Sequence, residues 1–147
     1  MIYEDYFKKF LKYKEEKSKI NKLEDKKIVL MGMVDVQASN PNKGNKNDIK
    51  DDKMSRYAAE LEELENKIKM KKNLINEIVN QMKDKELELK DSDELLDKAY
   101  YFKYIKKYKW FQLCTALNFE KTRMYEIINK LDENLSKIKR TEKNGKK

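Results

Sequence analysis

The chain has 147 residues, 39% of them apolar and 42% charged, and carries a formal net charge of +8. So little apolar material argues against one large buried core, because burial would not offset the ordering of so many residues; thin helical architectures that bury narrow stripes fit better. The chain lacks histidine, the commonest general base and zinc ligand, and its single cysteine, Cys114, cannot form an internal disulfide.

Residues 3 to about 30 read as one helix. Tyr3, Tyr6, Phe7, Phe10, Tyr13, Ile20 and Leu23 recur at steps of three and four, and the cluster Ile28-Val29-Leu30-Met31 predicts that its end meets something apolar. The N-terminal amphipathic segment is therefore placed at 1–34. Its opening residues lack the basic start and apolar stretch of a signal peptide, and no run approaches the ~20 apolar residues of a membrane span. A cytoplasmic protein without a membrane partner is the expectation.

Residues 35–53 are rich in Asn, Asp, Lys and Ser and hold Pro41 and Gly44, which predicts a polar linker. A long heptad helix over 54–90 follows. Met54, Tyr57, Leu61, Leu64, Ile68, Lys71, Ile75, Ile78 and Met82 alternate steps of three and four without a slip. At 1.5 Å per residue that stripe is about 42 Å long. Such a seam wants a partner helix, either the N-terminal helix folded back or the same helix of a second subunit. In the second case Leu61, Leu64, Ile68, Ile75, Ile78 and Met82 are the dimerisation residues. Lys71 interrupts the stripe and would set its register. Charge separates the regions: 1–34 hold nine basic and six acidic residues, 54–90 eight and eight, and 91–147 fourteen and nine. The surplus at the ends points to a polyanionic partner, with nucleic acid first.

Asp91-Ser92-Asp93-Glu94 reads as a helix start, with Leu95, Leu96, Ala99, Phe102 and Ile105 as the apolar face of the helix that follows. A second short helix spans Trp110 to Leu117. Asn118 tolerates the left-handed conformation and predicts a sharp turn. A third helix covers about 120–138, buried along Met124, Ile127, Ile128, Leu131 and Leu135, and a basic tail over 139–147 is expected to fray. Eight residues, a tight turn and a longer helix follow the helix-turn-helix plan, in which Cys114 is the small residue at the crossing and Met124 the apolar anchor. Lys121, Thr122 and Arg123 then face outward at the start of the second helix, with Tyr125 and Asn129 further along it. Lys121 and Arg123 suit guanine edges, and Thr122 suits a thymine methyl or a phosphate. Lys103, Lys106, Lys107, Lys109, Lys130, Lys137, Lys139 and Arg140 are the expected phosphate contacts. Residues 99–130 hold seven basic and two acidic residues, the acids being Glu120 and Glu126.

The stretch from Trp110 to Tyr125, WFQLCTALNFEKTRMY, resembles the helix-turn-helix of phage-encoded late-gene transcriptional regulators of the RinA/ArpU type, which are similar in turn to region four of bacterial sigma factors. Leu117-Asn118-Phe119 stands where that family has Leu-Gly-Tyr, and Met124-Tyr125 where it has Val-Tyr. Asn118, Cys114 and Glu126 depart from its usual glycine, alanine and basic residue. The resemblance extends upstream through the polar linker and Asp52-Lys53-Met54-Ser55 into the heptad helix. It implies a phage or prophage origin, control of late or packaging genes, and contact with host RNA polymerase.

The sequence thus predicts an all-α chain with a DNA-binding domain over 91–138. Its expected role is that of a homodimeric, sequence-specific regulator on double-stranded DNA, without cofactor, metal or small-molecule substrate. Two rivals stand beside it: a terminase-like DNA-packaging recognition subunit, and a coiled-coil adaptor that binds protein alone. Catalysis is not expected. Cys114 has no histidine partner and no phosphate-cradling glycine loop occurs. The aromatic run Tyr100, Tyr101, Phe102, Tyr104, Tyr108, Trp110 and Phe111 is read as packing first and as a single-strand stacking platform second.

Overall fold

A computed structural model describes the backbone of residues 1–38 and 47–144 and the side chains of 1–33 and 55–143. All regular structure among them is helical: α1 (Ile2–Ala38), α2 (Asn47–Asp91), α3 (Leu95–Tyr100), which runs on into a π turn (Tyr101–Ile105), α4 (Trp110–Leu117) and α5 (Lys121–Asn144). The fold is all-α, as the periodicities predict. The centre of the expected linker, with Pro41 and Gly44, lies outside the described residues, as do 145–147 and the side chains of Asp51, Asp52 and Met54. Helix claims both flanks of that linker, however: α1 continues to Ala38 and α2 begins at Asn47, since no proline or glycine interrupts the sequence there. The expected fraying tail is likewise helical as far as Asn144.

The chain divides into two compact units. The hairpin unit, Lys14–Glu77, pairs the later part of α1 with the earlier part of α2. Ion pairs link Lys71 to Glu16 at 2.8 Å, Lys72 to Glu24 at 3.3 Å and Lys27 to Glu65 at 3.6 Å, an antiparallel order. Ile20 and Ile68 are buried, and so is Glu16. Here the heptad stripe is used within the chain. Lys71 is the stripe's one polar position, and it meets Glu16, the buried carboxylate on α1 among the described residues. A buried carboxylate needs a cation and hydrogen bonds to offset desolvation, and a lysine within an apolar seam needs the same in reverse, so each accounts for the other.

The terminal unit, Met1–Tyr13 with Ile78–Lys147, holds the main core. Tyr3, Leu89, Leu96, Ala99, Tyr100, Tyr101, Leu113, Met124, Ile127, Ile128, Leu131 and Leu135 are buried in one cluster. Tyr3 therefore belongs with residues a hundred positions away, not to a separate N-terminal segment. Its ring lies 5.9 Å from that of Tyr100, and its hydroxyl accepts a hydrogen bond from Asn134 Nδ2 at 3.0 Å. The first turn of α1 has backbone amides without helical partners, and one of them finds a carboxylate: Tyr3 N–H donates to Asp97 Oδ1 at 2.9 Å. Asp97 is fully buried and also accepts from the Ser92 hydroxyl at 2.8 Å. A negative charge beside the positive end of α1 is favourable, which lets an acid sit in this core.

Ser92 sets the junction before α3. Its hydroxyl oxygen accepts from Glu94 N–H at 3.2 Å while its proton goes to Asp97. Asp91 ends α2 rather than opening α3, because α2 continues without a break through Lys90. After Tyr100 the backbone widens. Lys106 N–H donates to the Tyr101 carbonyl at 2.9 Å, the i to i+5 pattern of a π turn. An ideal helix cannot turn three successive residues inward, and the wider turn accompanies the burial of Ala99, Tyr100 and Tyr101 together. Lys107, in the left-handed region at φ 57°, ends the segment.

Candidate nucleic-acid interface

Two short backbone devices shape the α4–α5 corner. At the entrance of α4, the Gln112 side chain accepts from Lys109 N–H at 2.9 Å. At its exit Asn118 is left-handed, with φ 57° and ψ 47°, and the Cys114 carbonyl accepts from Phe119 N–H at 3.1 Å. The chain bends at Asn118 and restarts as helix within three residues, where Met124 N–H donates to the Glu120 carbonyl at 2.9 Å. Asn118 is thus the turn residue that its chemistry predicts. Cys114 is half-buried against the core together with Leu117 and Phe119, and Met124 is fully buried.

The buried stripe of α5 fixes its outer face. Met124, Ile127, Ile128, Leu131 and Leu135 point inward, and Lys121, Thr122, Arg123, Tyr125, Asn129 and Lys130 are all exposed. Lys121, Tyr125 and Asn129 follow one another at four-residue steps and share one helix face. The start of α5 is not walled off by the protein's own core. Lys106, Lys107 and Lys109, in the segment before α4, are exposed as well.

One contact joins these two groups. The Trp110 ring lies 4.3 Å from that of Tyr125, which brings the entrance of α4 against the second turn of α5. The Trp110 Nε1 proton is buried and has no acceptor. Trp110 and Tyr125 are therefore neighbours, although fifteen positions separate them. Sequence spacing gave no signal for this pair beyond the aromatic type at both positions. Tyr125 remains 49% exposed, so one face of its ring rests on Trp110 while the rest meets solvent.

Not every expected cation is available. Lys103 is held by Asp132 at 3.0 Å, and the Tyr104 hydroxyl donates to the same carboxylate. Lys137 lies 3.5 Å from Glu133. Arg123 is paired with Glu126 at 3.0 Å, so one of the two acids of this segment orients the arginine. The pair is exposed on both sides and is weak in water. Lys106 lies over the Tyr101 ring at 5.8 Å. Lys139 and Arg140 are exposed on α5 itself. Of the aromatic run, Tyr100 and Tyr101 are core, whereas Phe111 is 80% exposed on α4. Burial raises the Tyr100 phenol well above its ordinary value, and burial followed by the Asp132 hydrogen bond does the same for Tyr104.

The expected dimerisation residues lie along α2. Ile68 and Ile78 are buried within the chain, and Leu61, Leu64, Ile75 and Met82 are half-buried. Ile68 is thus taken up by the chain's own packing. Among the described residues no group of three Cys, Asp or Glu side chains is placed to hold a metal ion, and no helix is long and apolar enough to cross a membrane. No known protein family, curated protein or solved structure matches the chain.

Proposed function

We propose that the chain binds double-stranded DNA through the α4–α5 corner, with the first two turns of α5 entering the major groove. One observation carries the reading: the left-handed turn at Asn118 is followed directly by an exposed helix start bearing Lys121, Thr122 and Arg123. In this arrangement Lys121 and Arg123 read base edges, and Tyr125, braced on Trp110, lies against the sugar-phosphate wall. Lys106, Lys107 and Lys109 neutralise phosphates beside α4, and Lys130 does so farther along α5. The likeness of WFQLCTALNFEKTRMY to phage late-gene regulators extends the proposal to a regulator of late or packaging genes that contacts host RNA polymerase.

The test is a fluorescence-anisotropy titration on a duplex selected from a random library, repeated over a range of salt. Binding is expected to weaken linearly in log salt, with a slope near −0.9 per phosphate contacted. The double variant Lys121→Ala, Arg123→Ala is expected to lose roughly tenfold or more in affinity for the selected duplex while keeping its helicity. An unchanged affinity in that variant, or a failure to select any duplex, would reject the assigned recognition helix.

A further inference from the structure

An apolar groove runs along one face of the hairpin unit, in the valley between α1 and α2. Two cavities of about 530 and 650 Å³ share Lys26 and Lys67 in their walls and form one channel. Its lining is mainly apolar, and Val29, Met33 and Met70 within it are 59%, 46% and 71% exposed. Two helices can bury only the seam between them, so their shared outer valley stays open until another helix fills it.

The rim of the channel is polarised. Toward the C-terminal end of α1 it carries Asp25, Glu60 and Glu63. At the other end all its charges are lysines, including Lys19, Lys22 and Lys71. Lys71 already serves Glu16, and Lys19 lies beside Glu15 and Glu16, which leaves Lys22 as the clearest cation of that end. A single two-fold axis across the groove near Lys26 lays the acidic end of one chain on the basic end of the other, and does so twice. Lys67 falls near that axis and pairs with Glu63 at 3.5 Å, which leaves Asp25 and Glu60 as the clearest acids of the other end. A foreign helix needs matching charges at one end or the other, whereas a second copy supplies both by symmetry.

We propose that this groove is a self-association surface, on which two hairpin units pack antiparallel as four helices. The seam of each hairpin stays within its own chain, and the outer valley is the interface. The proposal does not rest on the DNA reading, since α4 and α5 take no part in it.

Sedimentation velocity on the full chain, at low salt and over a concentration series, tests it. The chain is expected to sediment at twice the monomer mass. Met70→Asp places a charge in the groove at a position too exposed to affect folding. It is expected to raise the dissociation constant more than about tenfold with the far-ultraviolet circular dichroism unchanged. Lys22→Glu and Glu60→Lys are each expected to weaken the dimer, and the two together to restore it toward wild type. A monomer at every concentration, a trimer or larger ring, a dimer indifferent to Met70→Asp, or a charge exchange that fails to rescue would each overturn the proposal.

Discussion

The two units share α1 and α2 but are held by different forces. In the terminal unit α3, α4 and α5, with the start of α1 and the end of α2, enclose a cluster of twelve buried residues that includes stacked rings. In the hairpin unit, Ile20 and Ile68 are the buried apolar residues among those described, and a Lys71–Glu16 pair lies between the same two helices. The difference follows from geometry. Several helices packed around one point can surround a side chain, whereas two side by side shield only their seam. The terminal unit is therefore expected to be stable by itself, and the hairpin unit to depend on electrostatics and on whatever covers its open valley.

The comparison is broken most directly at Tyr3, because a residue at the start of the chain completes the terminal core. Tyr3→Ala removes a fully buried ring and leaves Asn134 without its partner. The expected loss is about 3–5 kcal/mol, read as a fall in the urea midpoint followed by the fluorescence of Trp110. Next comes Asp97, whose carboxylate binds Tyr3 N–H and the Ser92 hydroxyl. Asp97→Ala leaves a buried amide unsatisfied and is expected to cost about 3 kcal/mol, with Asp97→Asn, which keeps one acceptor oxygen, costing roughly half as much. A tolerated alanine at either position would mean that the N-terminal turn is an appendage and not part of the core.

The units should also fail at opposite ends of the pH scale. The Lys71 hydrogen bond, with help from Lys19, holds the Glu16 carboxyl below its ordinary value of 4.5. The folded value lies below the unfolded one, so this contribution is whole above the unfolded value and is lost as pH falls through the folded one. Burial raises the phenols of Tyr100 and Tyr104 above their ordinary 10.0. Here the folded value lies above the unfolded one, so the contribution is whole below the unfolded value and is lost as pH rises toward the folded one. Trp110, the single tryptophan, reports on the terminal unit alone. Acid is expected to reduce helicity before the Trp110 emission maximum moves, and alkali to shift that maximum with the first loss of helicity. Lys71→Met should flatten the acid limb and leave the alkaline one unchanged. Acid and alkaline transitions that both begin at Trp110 would contradict the division.

How much of this was legible in the sequence follows the range of the interaction. The helices α1, α2 and α5, their apolar faces and the bend at Asn118 were readable because period and turn chemistry are local. Lys71 was visible as an intrusion in its stripe, but its partner Glu16 was not, since nothing local marks one glutamate among several on α1. Tyr3 was read as a stripe residue and Asp97 drew no notice, because their hydrogen bond spans 94 positions. The π turn was hidden for a related reason. It begins at the last of three consecutive buried residues, Ala99, Tyr100 and Tyr101, which no helical or strand period anticipates. At the candidate interface, exposure of Lys121, Thr122 and Arg123 was expected, whereas the Trp110–Tyr125 contact and the capture of Lys103 by Asp132 depend on how α4 and the π turn pack against α5.

The smallest expected effects lie at two left-handed backbone positions that lack glycine, Asn118 and Lys107, both at φ 57°. Asn tolerates this region through local hydrogen bonding, so Asn118→Gly gains little in the folded state and loses a similar amount to the freer unfolded chain, for a net change near zero. Asn118→Ala meets the Cβ clash without that compensation and is expected to cost about 1 kcal/mol. Lys107 has no such local compensation. Lys107→Gly relieves the clash and is expected to stabilise the terminal unit by about 0.5 kcal/mol. Thermal unfolding followed at Trp110 resolves the three variants in the order Lys107→Gly, Asn118→Gly, Asn118→Ala. If Asn118→Ala matched the wild type, the bend that aims α5 would be imposed by packing of Leu117, Phe119 and Met124 around it rather than by the residue at its centre, and the turn would lie within reach of many sequences instead of few.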